Sequence, residues 1–333
     1  MGAFKAASER ALGEAKQREV AKLGLLHFGI PFLDDALFGI SPNDLILLGA
    51  PSGIGKTQLC CQIALANIED GKRVHYIALE AEPMEIERRI KYQIFAAAFT
   101  QLSYAITKGR KPTYRQWLFG EYVKEYADLE GHVSEFFEKG YGNLFTYYKT
   151  GDFGVPQMIE LVVSNAKDAD LFIIDHVHYF DFDDDNENRA IREIAKTARM
   201  LALEESKPII LVSHLRKRDK ANIDLASGLD EFMGSSDLPK IATKVITLAP
   251  GGITTSGKYE TFFRIPKNRQ EGSVTRYLGR VHYDAGKSLY DREYKIGLAH
   301  LTRTTGFEEL AHDRYPEWAR SVLGGGNDTN AKG

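Results

Sequence analysis

One short run of the chain has the composition of a phosphate-binding loop. Glycines at positions 53 and 55 let the backbone turn its N–H groups toward phosphate oxygens. Lys56 offers a cation to the β- and γ-phosphates, and Thr57 offers a hydroxyl to Mg²⁺. The sequence therefore predicts a Mg-ATP site whose nucleotide contacts are Ala50, Pro51, Ser52, Gly53, Ile54, Gly55, Lys56, Thr57 and Gln58.

Two acidic residues end apolar runs that are typical of buried strands. These are Asp175 and Glu80. Because the carboxyl ends of parallel strands meet at one edge of a sheet, both are expected near the phosphate loop. Asp175 is interpreted as a Mg²⁺ ligand beside Thr57, and Glu80 as the group that activates water for hydrolysis. The alternative is that Glu80 and Glu82 only cap a helix over Met84–Ile90; we favour Glu80 as the base.

These groups need an α/β scaffold to position them. From about Ile30 to Pro250, short apolar runs alternate with longer amphipathic ones, which predicts βα units and a mainly parallel sheet. Alternating segments after Pro250 predict an antiparallel extension. The expected strands are Leu45–Leu48, Val74–Leu79, Leu171–Ile174, Ile209–Val212, Lys244–Leu248, Tyr259–Ile265 and Thr275–Tyr283.

The same patterns divide the chain into three parts. Residues 1–29 are interpreted as an arm or linker, and residues 30–295 as one ATPase domain. Within that domain, residues 90–148 are expected to form a helical insertion. Residues 296–333 are interpreted as a tail that is partly disordered, because its glycine-rich end has little apolar surface to bury.

Composition excludes several classes of protein. The 333 residues are 43% hydrophobic and 27% charged, with a formal net charge of −3, so nucleic-acid binding requires a local basic patch. Two adjacent cysteines, Cys60 and Cys61, cannot form a disulfide framework. No signal peptide and no apolar run of about 18 residues is present, which predicts a cytoplasmic protein without a membrane partner.

The order of these elements resembles the RecA-type ATPase core and, more narrowly, the motor domain of DnaB-like replicative helicases, the ring helicases of superfamily four. The resemblance implies a RecA-like P-loop NTPase fold. It also implies ATP and Mg²⁺ as cofactors. The segments that carry it are Ile77–Glu80, Ile173–Tyr179, the helix from Asn188 through Ala202, Lys207–Arg216, Met233–Ser236 and Lys267–Arg269.

That resemblance implies roles for three further residues. His214 would sense the γ-phosphate; the alternative is a core histidine with one hydrogen bond. Lys267 and Arg269 would reach into the site of a neighbouring subunit and stabilise the charge of phosphoryl transfer. In isolation, a solvated basic turn is the better interpretation of these two residues. Trans-acting residues require a homo-oligomer, and the family implies a hexameric ring.

A basic segment follows the fourth expected strand. It contains Arg216, Lys217, Arg218 and Lys220, which is typical of a loop that tracks a phosphate backbone, although charge runs are usually solvated faces. The loop after the third expected strand, residues 181–187, is acidic and would repel a phosphate backbone. Three alternatives remain open: the loop faces away from DNA, it binds a metal, or the protein is not a DNA translocase. Single-stranded DNA, together with a loader or primase, is the partner set that the family implies.

The residues and the resemblance together support two hypotheses of function from different classes. The first is a DNA helicase that hydrolyses Mg-ATP and moves on single-stranded DNA as a ring. The second is a KaiC- or RadA-like ATPase for repair, assembly or signalling without unwinding, because Gly29–Asp34 resembles the entry segment of those proteins. A scaffold that only retains nucleotide is a third interpretation. The full set of expected catalytic groups argues against it.

Overall fold

The computed structural model describes residues 25–100, 112–121, 127–182, 186–216, 229, 232–233, 237–300 and 306–319. The strands are β1 (Leu45–Ala50), β2 (Val74–Ala78), β3 (Leu144–Tyr148), β4 (Leu171–Asp175), β5 (Ile209–His214), β6 (Lys244–Ile253), β7 (Tyr259–Asn268), β8 (Tyr277–Asp284) and β9 (Leu289–Leu298). The helices are α1 (Pro31–Leu37), α2 (Lys56–Glu69), α3 (Glu85–Phe99), α4 (Tyr114–Leu118), α5 (Ala127–Gly140), α6 (Val155–Asn165), α7 (Glu187–Glu204) and α8 (Leu238–Ile241).

The described strands form a nine-stranded sheet in the order β3-β2-β4-β5-β1-β6-β7-β8-β9. The pairs from β3 to β6 are parallel, and those from β6 to β9 are antiparallel. Every residue of β1, β2 and β4 is buried, as expected for parallel strands that helices cover on both faces. The predicted mainly parallel α/β sheet with an antiparallel extension is confirmed.

Two strands were not predicted. The expectation of a helical insertion over residues 90–148 is wrong at its end, where β3 forms the edge of the sheet beside β2. Its side chains are only partly buried, so neither a buried apolar run nor a clear alternation marks it. The other, β9, forms the opposite edge and carries several charged residues.

Helices bury apolar surface on both faces of the sheet. The apolar side chains of α7 share one face and are all buried, as their helical spacing predicts: Ile191, Ile194, Ala195, Ala198, Leu201 and Ala202. The side chain of Asn186 caps this helix by accepting a hydrogen bond from the Arg189 amide. Among the described helices, none combines the length and apolar character required to cross a bilayer.

A buried ion pair fixes the start of β6 beside β1. Lys244 is fully buried, and its ammonium group lies 2.7 Å from a carboxylate oxygen of Asp44. The ammonium also donates to the Gly39 carbonyl at 2.9 Å, and the Thr243 hydroxyl donates to Asp44 at 2.8 Å. With these additional hydrogen bonds, neither charge is left uncompensated in the core.

Replacing Lys244 with methionine should therefore destabilise the fold strongly. Loss of the ammonium leaves Asp44 buried without its cation, which costs about 3–5 kcal/mol of unfolding free energy, measured in urea. The double variant Asp44→Leu/Lys244→Met should be less destabilised than the single one. As a control, Lys258→Met breaks the partly exposed Lys258–Asp291 pair and should cost no more than about 1 kcal/mol. Equal losses in the two single variants would show that burial adds nothing to the energetic role of the Lys244–Asp44 pair.

Candidate functional site

The turn between β1 and α2 places backbone amides around an open cavity. Gly53 and Gly55 adopt φ angles of 83° and 93°, a left-handed region that other residues rarely enter. Gly55 is also the N-cap of α2, so the free N–H groups of the first helical turn face the same space. The local geometry is that of an anion-binding loop.

Lys56 lies across the mouth of this loop. Its ammonium donates to the carbonyls of Ala50 and Pro51 at 3.1 and 3.2 Å, and lies 2.9 Å from Nδ1 of His214. Burial lowers the pKa of Lys56, while the charges of Asp175 and Glu80 raise it. His214 is at the end of β5 and pairs directly with Ala50 in the sheet, which explains how two titratable groups that are distant in sequence meet here.

Asp175 connects the loop to the centre of the sheet. Its Oδ2 accepts hydrogen bonds from the hydroxyls of Thr57 and Tyr76, each at 2.9 Å. Burial raises the pKa of this carboxyl, and the two hydrogen bonds oppose that shift. Its Oδ1 is buried and has no hydrogen-bond partner among the described residues. A divalent cation beside Thr57 and this oxygen would stabilise the ionised carboxylate, so the donors fit Mg²⁺.

Glu80 follows β2 and enters the cavity from the neighbouring strand. Its side chain is 48% exposed, and its Oε2 lies 3.0 Å from Nε2 of His176. The competing cap interpretation is not supported, because α3 starts one residue later than predicted, has Met84 as N-cap and receives no side-chain cap bond. Glu80 is therefore free to contact a ligand in the cavity.

Three histidines gather behind these groups, and two of them, His176 and His178, were given no role from the sequence. The ring centroids of His176 and His214 are 4.2 Å apart, and that of His178 lies 5.5 Å from His176. Burial, with the charges of the neighbouring histidines and Lys56, lowers the pKa of His176 to about 2. Burial and the Lys56 ammonium lower the pKa of His214 to about 4. Both imidazoles are neutral at pH 7.

The cavity in front of these side chains has a volume of about 820 Å³. Residues 52–58 line one wall, and Glu80, Asp175 and His214 line its floor. Pro250 in β6 and Tyr259 at the start of β7 line the far side. A space of this size accommodates a nucleotide. The structure thus brings the predicted Mg²⁺ and water-activating residues together with residues 52–58 of the predicted loop.

Lys267 and Arg269 lie outside this cavity. Lys267 pairs with Val245 at the start of β6, about 10 Å along the strands from the edge that carries the phosphate loop. Its ammonium donates to the carbonyls of Pro239 and Lys240, each at 2.7 Å. Arg269 follows β7 and is exposed. Neither residue reaches the phosphate loop of its own chain.

Of the predicted DNA-contacting residues, the structure describes one. Arg216 is exposed directly after β5, on the loop side of the sheet. Lys217, Arg218 and Lys220 lie outside the described residues. In the acidic loop, Asp181 forms an ion pair with Lys149 at 2.7 Å, so its charge is partly compensated.

Comparison with known proteins gives one sequence family and a shared fold. The profile of the AAA domain family matches residues 26–220. No curated protein matches the sequence at a significant level. A solved ATPase domain superposes with a TM-score of 0.68 at 16% identity, over 87% of this chain and 100% of that chain.

Two further solved structures share the fold. A DnaB-like replicative helicase, solved in a study of its interactions with primase, gives a TM-score of 0.67 at 14% identity, over 86% of this chain and 67% of that chain. A KaiC-like protein from Pyrococcus horikoshii OT3 gives 0.52 at 16% identity, over 79% and 96%. These similarities confirm the predicted RecA-like ATPase fold.

The two depressed histidine pKa values predict an acid-sensitive fold. In the unfolded chain these imidazoles titrate near their ordinary pKa of 6.5, whereas the folded site keeps His214 neutral to about pH 4. Between these pH values the unfolded chain binds more protons, so stability is greatest above pH 6.5 and falls as the pH decreases. In His214→Gln, urea unfolding at a series of pH values should show a shallower decline, by up to one proton. Identical slopes in the two proteins would refute this assignment.

Proposed function

This chain belongs to the AAA domain family, and on that premise we propose that it is an ATP-dependent DNA helicase or translocase. In this proposal, Mg-ATP hydrolysis drives a ring of identical subunits along single-stranded DNA. The observation that carries it is the convergence of Lys56, Thr57, Asp175, Glu80 and His214 on one cavity beside a phosphate-binding loop. Each has the chemistry that one part of phosphoryl transfer requires.

The hydrogen bonds of these side chains support a separate chemical role for each of them. Lys56 exchanges its carbonyl partners for the β- and γ-phosphates, and the α2 amides bind the remaining phosphate oxygens. Thr57 and Asp175 would hold Mg²⁺, which would supply positive charge to stabilise the phosphate oxygens. Glu80, half-exposed at the end of β2, accepts a proton from the attacking water.

His214 is suited to sensing the γ-phosphate. It contacts Lys56 directly, so a phosphate that draws the ammonium away changes the hydrogen bonding of His214 at the same time. Because His214 ends β5 and Arg216 lies two residues further on, we propose that this change reaches Arg216, the first residue of the basic segment. This coupling links nucleotide state to the segment that we propose contacts DNA phosphates.

The position of Lys267 and Arg269 supports a ring. They lie toward the end of the strands that is opposite the phosphate loop. In a head-to-tail assembly, this end of the strands in one subunit faces the phosphate loop of the next subunit. That arrangement brings both cations to the neighbour's γ-phosphate. We propose a hexamer, with single-stranded DNA as the substrate of movement and a loader or primase as a further partner.

A second candidate is an ATPase of the KaiC or RadA type that does not unwind DNA. The structural similarity to the KaiC-like protein favours it, as does the entry segment Gly29–Asp34. In that segment, the Phe28 amide donates to Asp34 at 2.6 Å and fixes the start of α1. The two functions differ in whether unwinding of a DNA fork accompanies DNA-stimulated hydrolysis.

ATP hydrolysis with and without single-stranded DNA tests the proposal. We expect DNA to stimulate turnover, and the stimulation to weaken between low and moderate salt because phosphate contacts release counterions. Lys56→Ala should reduce turnover by about 10²-fold or more, whereas Lys139→Ala, on an exposed face of α5, should not. Turnover that ignores DNA would favour the KaiC-type function, and turnover that survives Lys56→Ala would exclude both.

Mixing two inactive variants tests the shared site. Arg269→Ala should retain nucleotide affinity but lose turnover, because its own phosphate loop is intact. Glu80→Ala should also be inactive, because water activation is lost within its own cavity. In a mixture, some interfaces combine an intact Glu80 with a neighbour's intact Arg269, so turnover should partly return. A mixture as inactive as its components would contradict the trans assignment.

A further inference from the structure

The cavity contains a group of metal-ligating side chains that is distinct from Thr57 and Asp175. Glu80, His176 and His214 each offer one ligand atom, and these atoms all lie within 4.8 Å of one another. They come from the ends of β2, β4 and β5, which are neighbours in the sheet. The strand order therefore fixes their mutual position, and no flexible loop is needed to assemble them.

His176 supplies a second observation that points to a ligand. Its side chain is 1% exposed, and its Nε2 is buried without a hydrogen bond among the described residues, although Glu80 Oε2 lies only 3.0 Å away. On the opposite side of the ring, the His178 amide is 3.4 Å from Nδ1, longer than an ordinary hydrogen bond. A buried nitrogen facing a carboxylate and a second imidazole is a ligand position that still needs a partner.

The distances among the three ligand atoms suit a small metal ion once the longer of them shorten. Tetrahedral coordination with bonds of about 2.1 Å places ligand atoms about 3.4 Å apart. The Glu80–His176 pair is already at 3.0 Å, so only the wider pairs must close. Glu80 is half-exposed and can move toward the two histidines, which are held by packing. A fourth position faces the open cavity.

We propose that Glu80, His176 and His214 bind a Zn²⁺-class transition-metal ion in the nucleotide cavity, separately from the Mg²⁺ expected at Thr57 and Asp175. Two imidazoles and one carboxylate form a donor set typical of Zn²⁺, whereas Mg²⁺ prefers oxygen ligands alone. One consequence rests on the proposed function. A metal ion on Glu80 occupies the carboxylate that activates water, so the bound ion inhibits ATP hydrolysis.

Lys56 opposes this binding and provides a control. Its ammonium lies 2.9 Å from Nδ1 of His214 and repels a cation on that ring. Removing the charge in Lys56→Met should leave Zn²⁺ affinity unchanged or increase it, although the same substitution eliminates hydrolysis. Metal binding and ATP turnover can therefore be tested independently.

The experiment is calorimetric titration of the full chain with ZnCl₂, without nucleotide or Mg²⁺, together with the visible absorption of Co²⁺. We expect one high-affinity ion per chain and Co²⁺ bands typical of tetrahedral coordination. Affinity should fall at least about tenfold in His176→Gln and in Glu80→Gln, because each removes a direct ligand. The His282→Gln variant is the matched control, since it alters another histidine beside a glutamate, Glu260 at 3.9 Å, and should bind normally.

Circular dichroism melts establish whether each variant folds. Because His176 is buried and Glu80 is not, Glu80→Gln keeps the test decisive if His176→Gln unfolds. Binding that persists in folded Glu80→Gln, or that is lost only in Asp175→Asn, would overturn the proposal. In that case His176 merely orients Glu80. Zn²⁺ binding by a protein that never hydrolyses ATP would instead leave the metal site standing and reject the proposed function.

Discussion

The hydrogen bond from Thr57 to Asp175 is the interaction on which the site depends. At 2.9 Å it joins the first turn of α2 to the end of β4, across the intervening strand β5. The Tyr76 hydroxyl from β2 reaches the same carboxylate oxygen. A fully buried carboxylate is expensive to ionise unless donors or a cation surround it. The loop, the helix and three strands are therefore held in register by the requirement to compensate one charge.

The parallel alignment that satisfies Asp175 also separates the phosphate loop from the two cations that we propose act on a neighbouring subunit. All the groups that we propose bind and polarise phosphate lie at the carboxyl ends of β1, β2, β4 and β5, where parallel topology gathers them. Because β7 runs antiparallel to β6, Lys267 lies toward the opposite end of the strands, where its ammonium donates to two carbonyls. No small rearrangement within one subunit brings this cation to the loop. A single feature of the sheet thus explains both the assembled cavity and the reason for expecting a neighbour.

Much of this arrangement was predictable because its signals are local. The residues from Ala50 to Thr57 show their chemistry in their own order, and the helical spacing from Ile191 to Ala202 marks a buried face. Edge strand β3 was missed because partly buried Leu144–Tyr148 lacks both a buried run and an alternation. The contact of His176 with Glu80 was missed for another reason: it depends on β2 and β4 pairing in register, with Ala78 beside Asp175. No local pattern reports such a pairing.

The histidines give the cavity an unusual electrostatic character. Burial and the Lys56 ammonium keep His176 and His214 neutral, so the charges beside the phosphate loop come from Lys56, Glu80 and Asp175 and not from the imidazoles. Neutral imidazoles neither attract phosphate as cations nor repel a metal ion, and they retain a nitrogen lone pair. In the proposed function, binding of a phosphate draws Lys56 away from His214, whereas binding of the proposed metal ion places a second positive charge beside the Lys56 ammonium. The Lys56 ammonium therefore has opposite effects on the two proposed ligands, because it attracts a phosphate and repels a metal ion bound to His214.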